Sequence, residues 1–395
     1  MDFRFTPEQE AFRAELRAFL REELPPDWGA DNRNDREEAD EASAEVARRF
    51  TRKLVERGWL TMAWPVEYGG RGADPMQQLI YNEEMSYHRA PGAGSLGVQM
   101  VGPTLMLHGT EEQKRRFLPP IARNEETWCQ GFSEPGAGSD LASLQTRAVA
   151  DGDDFIVNGQ KIWTSNAHRA DWCILLARTD PDAPKHKGIS YFLMDMKSPG
   201  ITIRPLVNML GAANFNELFL DNVRIPRRNL VGELNRGWYV ATTTLDFERS
   251  GIHRIMFAYR LYEDLVRSSR ETTRGGKPLI ADPQARHRLA ELKIEFEVGR
   301  LLAYRVAWLQ SQGLVPNAEA SISKLYGTEL QQRFSQSAMG VLGLGGVLSR
   351  GSKWAPLRGA IERYYLAAVS YTIAAGTSEV QRNIIAMRGL GLPRA

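Results

Sequence analysis

The sequence predicts an α+β chain in three parts: helices first, an antiparallel sheet next, and a helical bundle last. Three observations predict it. Apolar residues recur every three to four positions over the first ~120 residues. Between Cys129 and Gly232 the pattern changes to short β-branched and aromatic runs punctuated by turn residues. After Gly237 the three-four period returns. The boundaries drawn from these changes are 1–125 for an N-terminal helical domain, 126–236 for a β-barrel-like middle domain, and 237–395 for a C-terminal domain like a four-helix bundle.

Each element has a local reason. In "FTPEQEAFRAELRAFL", Thr6 is placed to cap a helix, Pro7 to occupy its first turn and Gln9 to close a capping box, with Phe12, Leu16, Phe19 and Leu20 on one face. "AEVARRFTRKLVERG" and "PMQQLIYNEEMSYHRA" repeat the helical pattern, and the turn-rich "GWLTMAWPVEYGGRGAD" separates them. The strands expected are "FIVNGQKIW", with Asn158-Gly159 as a tight hairpin turn, then "WCILLART", "GISYFLMDM", "GITIRPL" and "NELFLDNVRI". In the last part, Leu289, Leu292, Phe296, Gly299, Ala303 and Val306 keep helical spacing through one long segment.

Composition narrows the function. With 50 basic and 48 acidic residues the formal charge is +2, which gives no electrostatic reason to propose nucleic acid as the main partner; a small molecule is expected. Cys129 and Cys173 are too few for a disulfide framework and are expected to be reduced and packed. No signal pattern is read in "MDFRFTPEQE", and the longest stretch without Asp, Glu, Lys or Arg, Ala90–Thr110, is broken by five glycines and two prolines. A cytoplasmic protein without a membrane span is the expectation. "GAGSLG" at 92–97 matches a phosphate-loop pattern but follows a helix rather than a strand, so a Rossmann-type site is not expected.

Two segments can carry chemistry. In "WCQGFSEPGAGSDLAS" (128–143), Gly136 and Gly138 allow close backbone approach, while Ser133 and Ser139 offer hydroxyls. "KIWTSNA" (161–167) sets Trp163 beside Thr164 and Ser165, a combination suited to a flat heteroaromatic ligand. Either segment also reads as ordinary loop or core.

Together with "VEYGGRG", "HGTEEQKRRFLPPI", "NVRIPRRNLVGELNRGW" and the terminal "GTSEVQRNII", these segments make nearly the whole chain resemble the acyl-CoA dehydrogenase family. Within that family it is similar to a bacterial subgroup with pimeloyl-CoA dehydrogenase large subunits and enzymes of steroid side-chain CoA esters. The resemblance implies FAD held between the β domain and the C-terminal bundle, and α,β-desaturation of an acyl-CoA to trans-2-enoyl-CoA. It implies cofactor contacts at Gln130, Phe132, Ser133, Ser139, Trp163, Ser165, Thr377 and Glu379, with Arg274 a shifted candidate for the diphosphate. Substrate contacts are implied at Ser139, Asp246 and Arg249.

The reaction needs a base for the α-proton, and a partly desolvated glutamate is suited to it. Many members of the family carry it immediately before the Gly-Thr of the last motif, where this chain has Ala375. Other members carry it before an arginine on the helix that opens the bundle. The matching text is "LDFERSGI", which makes Glu248 the expected base. Glu379, four residues after Ala375, is its competitor.

A Gln and Gly-Gly-Asn-Gly run that commonly holds the adenine end in the family is replaced here by "AMGVLGLGGVLSRGSKW". The family implies an electron-transfer flavoprotein as acceptor and a homodimer or homotetramer. The departure leaves open a heterotetramer with a related subunit, and with it a mainly structural role for this chain. An acyl-CoA oxidase is the third reading.

Overall fold

A computed structural model describes residues 4–29, 41–92, 95–246 and 251–393, with Leu245 and Asp246 in their main-chain course only. In chain order the helices are α1 (Pro7–Glu23), α2 (Glu41–Glu56), α3 (Pro75–Tyr87), α4 (Gly102–His108), α5 (Glu111–Ala122), α6 (Gly237–Asp246), α7 (Ile252–Glu271), α8 (Pro283–Ser311), α9 (Asn317–Leu342), α10 (Ala360–Tyr371) and α11 (Ser378–Ile384). The strands are β1 (Trp128–Gly131), β2 (Arg147–Asp151), β3 (Asp154–Ser165), β4 (Trp172–Arg178), β5 (Ile189–Asp195), β6 (Ile201–Leu206), β7 (Phe215–Pro226), β8 (Leu230–Val231), β9 (Thr273–Arg274) and β10 (Lys277–Pro278). The order is helices, sheet, helices, as the periodicity predicts. None of the described helices is long and apolar enough to cross a membrane.

By its contacts the chain forms two compact units, one from residues 1–34, 73–93 and 249–395, the other from 35–72 and 94–248. In the first, α1 begins with the expected capping box: Gln9 N donates to Thr6 Oγ1 at 3.3 Å and Thr6 N donates to Gln9 Oε1 at 3.0 Å. Its core is built from α7 to α10. All six spaced positions of α8 are buried, and Phe296 packs edge-on against Phe334 with ring centroids 5.5 Å apart. Burying each such aromatic contributes about 1.5–3 kcal/mol.

A charged layer lies within this unit. Glu83 on α3 accepts from Arg13 on α1 at 2.6 Å, and from Arg300 and Tyr304 on α8 at 2.6 and 2.7 Å. Glu84 takes a second Arg13 contact at 2.9 Å. α1 is thereby tied to α3 and α8 by charge, and its Leu16, Phe19 and Leu20 are buried.

The second unit carries the sheet, ordered β6-β7-β3-β2-β4-β5-β8, with β1 added parallel to β4. Its core includes Phe155, Val157, Leu175, Phe192, Leu218 and Val223. Cys129 and Cys173 are free and buried as expected, and the β1–β4 register sets them directly opposite each other.

One expectation is corrected. Asn158-Gly159 is not a hairpin turn: β3 runs straight through it, and the turn into β3 lies at Gly152-Asp153, between the paired Asp151 and Asp154. The dipeptide is used for a bulge against β7. Asn158 accepts from Asn222 N at 2.8 Å, and a Cβ at Gly159 would stand 2.5 Å from Thr146 Oγ1. The local signal for a break in the ladder is sound, but the long-range pairing turns it into a bulge.

Candidate active site

Six of the twelve predicted residues, Gln130, Phe132, Ser133, Ser139, Trp163 and Ser165, are described in the sheet unit, the last two at the far end of β3. The β3–β7 register slips between Lys161 and Thr164, and Trp163 sits in the slip with φ +61°, a conformation rare for a bulky side chain. Its indole is 61% exposed and touches Phe215 edge-on at 6.3 Å. Ser165, half-buried, follows it opposite Phe215. The slip is held from behind by Asn216, which is fully buried and donates to the Thr164 carbonyl at 3.0 Å.

Ser133 lies beside this segment, its carbonyl accepting from Ile162 N at 3.0 Å. Gln130 is half-buried on β1, paired with Ile174. The ring of Phe132 is buried against Tyr191, which leaves any contact with a ligand to its main chain. Past the tight turn Glu134–Ala137, Ser139 is exposed; its neighbour Asp140 is bound by Lys185 at 2.7 Å.

Sequence reasoning missed what holds this loop. Lys161, with no exposed surface, donates to Glu134 at 2.8 Å and to the Phe132 carbonyl at 3.1 Å. Glu134 also accepts from the backbone of Gln145 and Thr146, at 2.6 and 2.8 Å. Burial by itself would push the Glu134 carboxyl up, but Lys161 and these donors hold it below the usual range. A signal existed: the two-residue period puts Lys161 on the inward face with Phe155 and Val157.

The helical unit presents the other group. Thr377 caps α11, its Oγ1 accepting from Val380 N at 3.2 Å. Before it, Ala375 has φ +55° and Gly376 φ +86°; a Cβ at Gly376 would lie 2.6 Å from Gln381 Nε2. The turn is fastened by Lys324, which donates to the Gly376 carbonyl at 2.6 Å, and by Gln381, which donates to that of Ala375 at 3.2 Å. Glu379 is exposed, and hydrogen bonds from its own backbone N–H and from Thr377 hold its carboxyl below the usual range. Thr377, Ser378 and Glu379 line an open cleft of about 510 Å³ with Gln332, Thr372 and Arg382.

Arg274 lies on the β9–β10 hairpin and donates to the Val341 carbonyl at 3.2 Å, near the end of α9. Glu248 and Arg249 lie outside the described residues, as does the side chain of Asp246. What is described is the helix that precedes them in sequence: on α6, Thr244 is fully buried and shares a 2.8 Å hydrogen bond with Thr104 of α4.

The family descriptions "Acyl-CoA dehydrogenase" N-terminal, middle and C-terminal domain match residues 6–125, 129–223 and 235–390. Acyl-CoA dehydrogenase IpdE1 of Mycobacterium tuberculosis is 38% identical over 390 residues, covering 98% of each chain. Among solved structures, "Tcur3481-Tcur3483 steroid ACAD" is similar with a TM-score of 0.89 and 36% identity over the full length of both chains. The ChsE4-ChsE5 complex from Mycobacterium tuberculosis is similar with a TM-score of 0.88 and 38% identity, also over both full lengths. The chain belongs to the acyl-CoA dehydrogenase family of FAD-dependent flavoproteins.

The residues present fit FAD. An indole left exposed at a strained position offers a flat apolar face two residues before Ser165, on the strand whose Ile162 binds the Ser133 carbonyl. In the helical unit, the buried Ser378 Oγ has no hydrogen-bond partner among the described residues, beside the turn that Lys324 holds open.

Proposed function

We propose that this enzyme desaturates an acyl-CoA thioester to the trans-2-enoyl-CoA, with Glu248 as the base that takes the α-proton. The observation that carries the base assignment is the Ala375–Thr377 turn. Its side chain at 375 is a methyl group, and the nearby Glu379 is stabilised as an exposed carboxylate, the opposite of the raised pKa a base near neutrality requires. Glu248 follows α6, whose buried Thr244 anchors that helix.

FAD, when bound, supplies the acceptor for the electron pair and hydrogen leaving the β-carbon. Ser133, Ser165 and Thr377 are assigned to hydrogen bonds with it, Trp163 to its flat face, and Gln130, Phe132, Ser139, Glu379 and Arg274 to its flanks. Ser139, Asp246 and Arg249 are assigned to the substrate. Orienting the α-carbon against Glu248 is the chain's main contribution, because positioning can lower such a barrier by about 7–11 kcal/mol.

Glu248→Gln should keep flavin bound and abolish its anaerobic bleaching by acyl-CoA. Bleaching that survives there and is lost in Glu379→Gln would overturn the assignment. The names of the steroid-type relatives support a bulky, steroid-derived acyl group, to be compared with straight, branched and dicarboxylic CoA esters in the same assay. An electron-transfer flavoprotein is the proposed acceptor; oxygen consumption in its place would mark an oxidase.

A second reading concerns assembly. The similar solved structures are named as pairs of different chains, which supports a heteromer in which a related subunit completes the adenine end of the site. Mass and flavin content of the protein purified alone test it: a colourless protein that turns yellow only with a partner supports the heteromer, and a yellow homodimer or homotetramer excludes that need.

A further inference from the structure

Neither Lys161 nor Glu134, which form a buried ion pair, carries a role assigned above. A buried ion pair is weak support for stability, since apolar groups of similar volume often serve as well or better. Its geometry points to another use. The Lys161 ammonium binds the Phe132 carbonyl and the Glu134 carboxylate, the residues on either side of Ser133. The Ser133 carbonyl is bound by Ile162, the next residue after Lys161. Three consecutive residues of the loop are therefore fixed to two consecutive residues of β3. Trp163 and Ser165 follow immediately on that strand. Glu134 anchors the other side, by accepting from Gln145 and Thr146.

We propose that Lys161 and Glu134 are positioning residues that set the spacing between Ser133 on the loop and Trp163–Ser165 on β3, and so the affinity and electronic environment of the bound flavin. An apolar pair could fill the volume but could not hold the Phe132 carbonyl or the two backbone N–H groups that Glu134 accepts. The proposal rests on the flavin site described under Proposed function, so its test separates the two.

The full-length protein is stripped of flavin and titrated with FAD, following tryptophan quenching and the visible flavin spectrum. The variants are K161M/E134L, K161M, E134Q and W163L, with R224M as an exposed ion-pair control on the same sheet. K161M/E134L leaves no unpaired buried charge, but it strips the Phe132 carbonyl and the Gln145 and Thr146 N–H groups of their partners, so it should unfold at a lower temperature than the native protein while staying folded at the assay temperature. It should nonetheless bind FAD about tenfold or more weakly, about 1.4 kcal/mol, with a shifted flavin absorption band. E134Q should lie between it and the native protein, and R224M should match the native protein. A folded K161M/E134L with native affinity and native spectrum overturns the proposal. Native affinity and spectrum in W163L overturn the flavin-site reading itself. If K161M/E134L fails to fold, E134Q decides, because a native FAD affinity and spectrum there are equally fatal to the proposal.

Discussion

Replacing Glu83 by Gln probes the charged layer of the helical unit. Both Glu83 oxygens are used: Oε1 accepts from Arg300 Nε at 2.6 Å and Tyr304 at 2.7 Å, and Oε2 accepts from Arg13 at 2.6 Å and Tyr304 at 2.8 Å. Glutamine keeps one acceptor and turns an NH2 group toward a guanidinium, so one of the two cations loses its contact with residue 83. Breaking a buried pair costs about 3–5 kcal/mol. Arg13 retains Glu84 at 2.9 Å, so the low end applies. A loss of about 3 kcal/mol, at about 2–4 °C per kcal/mol, lowers the melting temperature by about 6–12 °C.

Acid supplies an independent check on the same residue. Burial alone would raise the Glu83 carboxyl, but Arg300 and Arg13 outweigh burial and hold it below the usual range. A group depressed in the folded state contributes stability that is present above its unfolded value of about 4.3 and lost as pH falls through the folded value. The gap between the native protein and Glu83→Gln should therefore be widest near neutral pH and close as the solution is acidified below about 4. The assay is thermal unfolding of both proteins at one fixed FAD concentration, from pH 7 downward. Melting temperatures within 1 °C of each other at neutral pH, or a gap that grows with acid, would refute the reasoning.

Three further outcomes are expected. Asn216→Leu strips the Thr164 carbonyl of a buried donor, which costs about 1–3 kcal/mol, and should raise Trp163 mobility, read as lower fluorescence anisotropy in the flavin-free protein. Gly159→Ala forces a methyl against Thr146 and should cost about 1–3 kcal/mol in chemical denaturation, with unchanged helix content. Thr377→Ala loses the α11 cap, about 1 kcal/mol, and should weaken FAD binding, while Thr377→Ser retains both.

Where the causes were local, the sequence was legible. The Thr6–Gln9 capping box and the buried spacing of Leu289 to Val306 depend on residues within one helix, and both are as the pattern predicts. Asn158-Gly159 carries a strong local turn signal, yet Asn222 lies 64 residues away and decides that it forms a bulge. Glu83 shows the same limit more sharply. Its helix reads as an ordinary amphipathic one, and its burial depends on cations 70 and 217 residues distant. The candidate site divides along this line: its hydroxyls and Trp163 stand in short motifs, while Lys161, Asn216 and Lys324, which hold those motifs in place, are identified by partners far along the chain.

The last motif is the sharpest case, because its missing carboxylate and its strained backbone belong to one turn. Ala375 and Gly376 both have positive φ, and their carbonyls are taken by Gln381 and Lys324. Alanine tolerates such a conformation at some cost and without a long side chain to order. Lys324 is 6% exposed and donates to the carbonyls of Tyr371 and Gly376. These ties of the turn run through the main-chain carbonyls of Ala375 and Gly376 and make no use of the side chain at 375. With Glu248 as the proposed base, this turn is left to the proposed contact of Thr377 with the cofactor. The consequence is a separation of tasks: substitutions at Thr377 or Lys324 should change flavin affinity first, and substitution at Glu248 should change only the proton-transfer step.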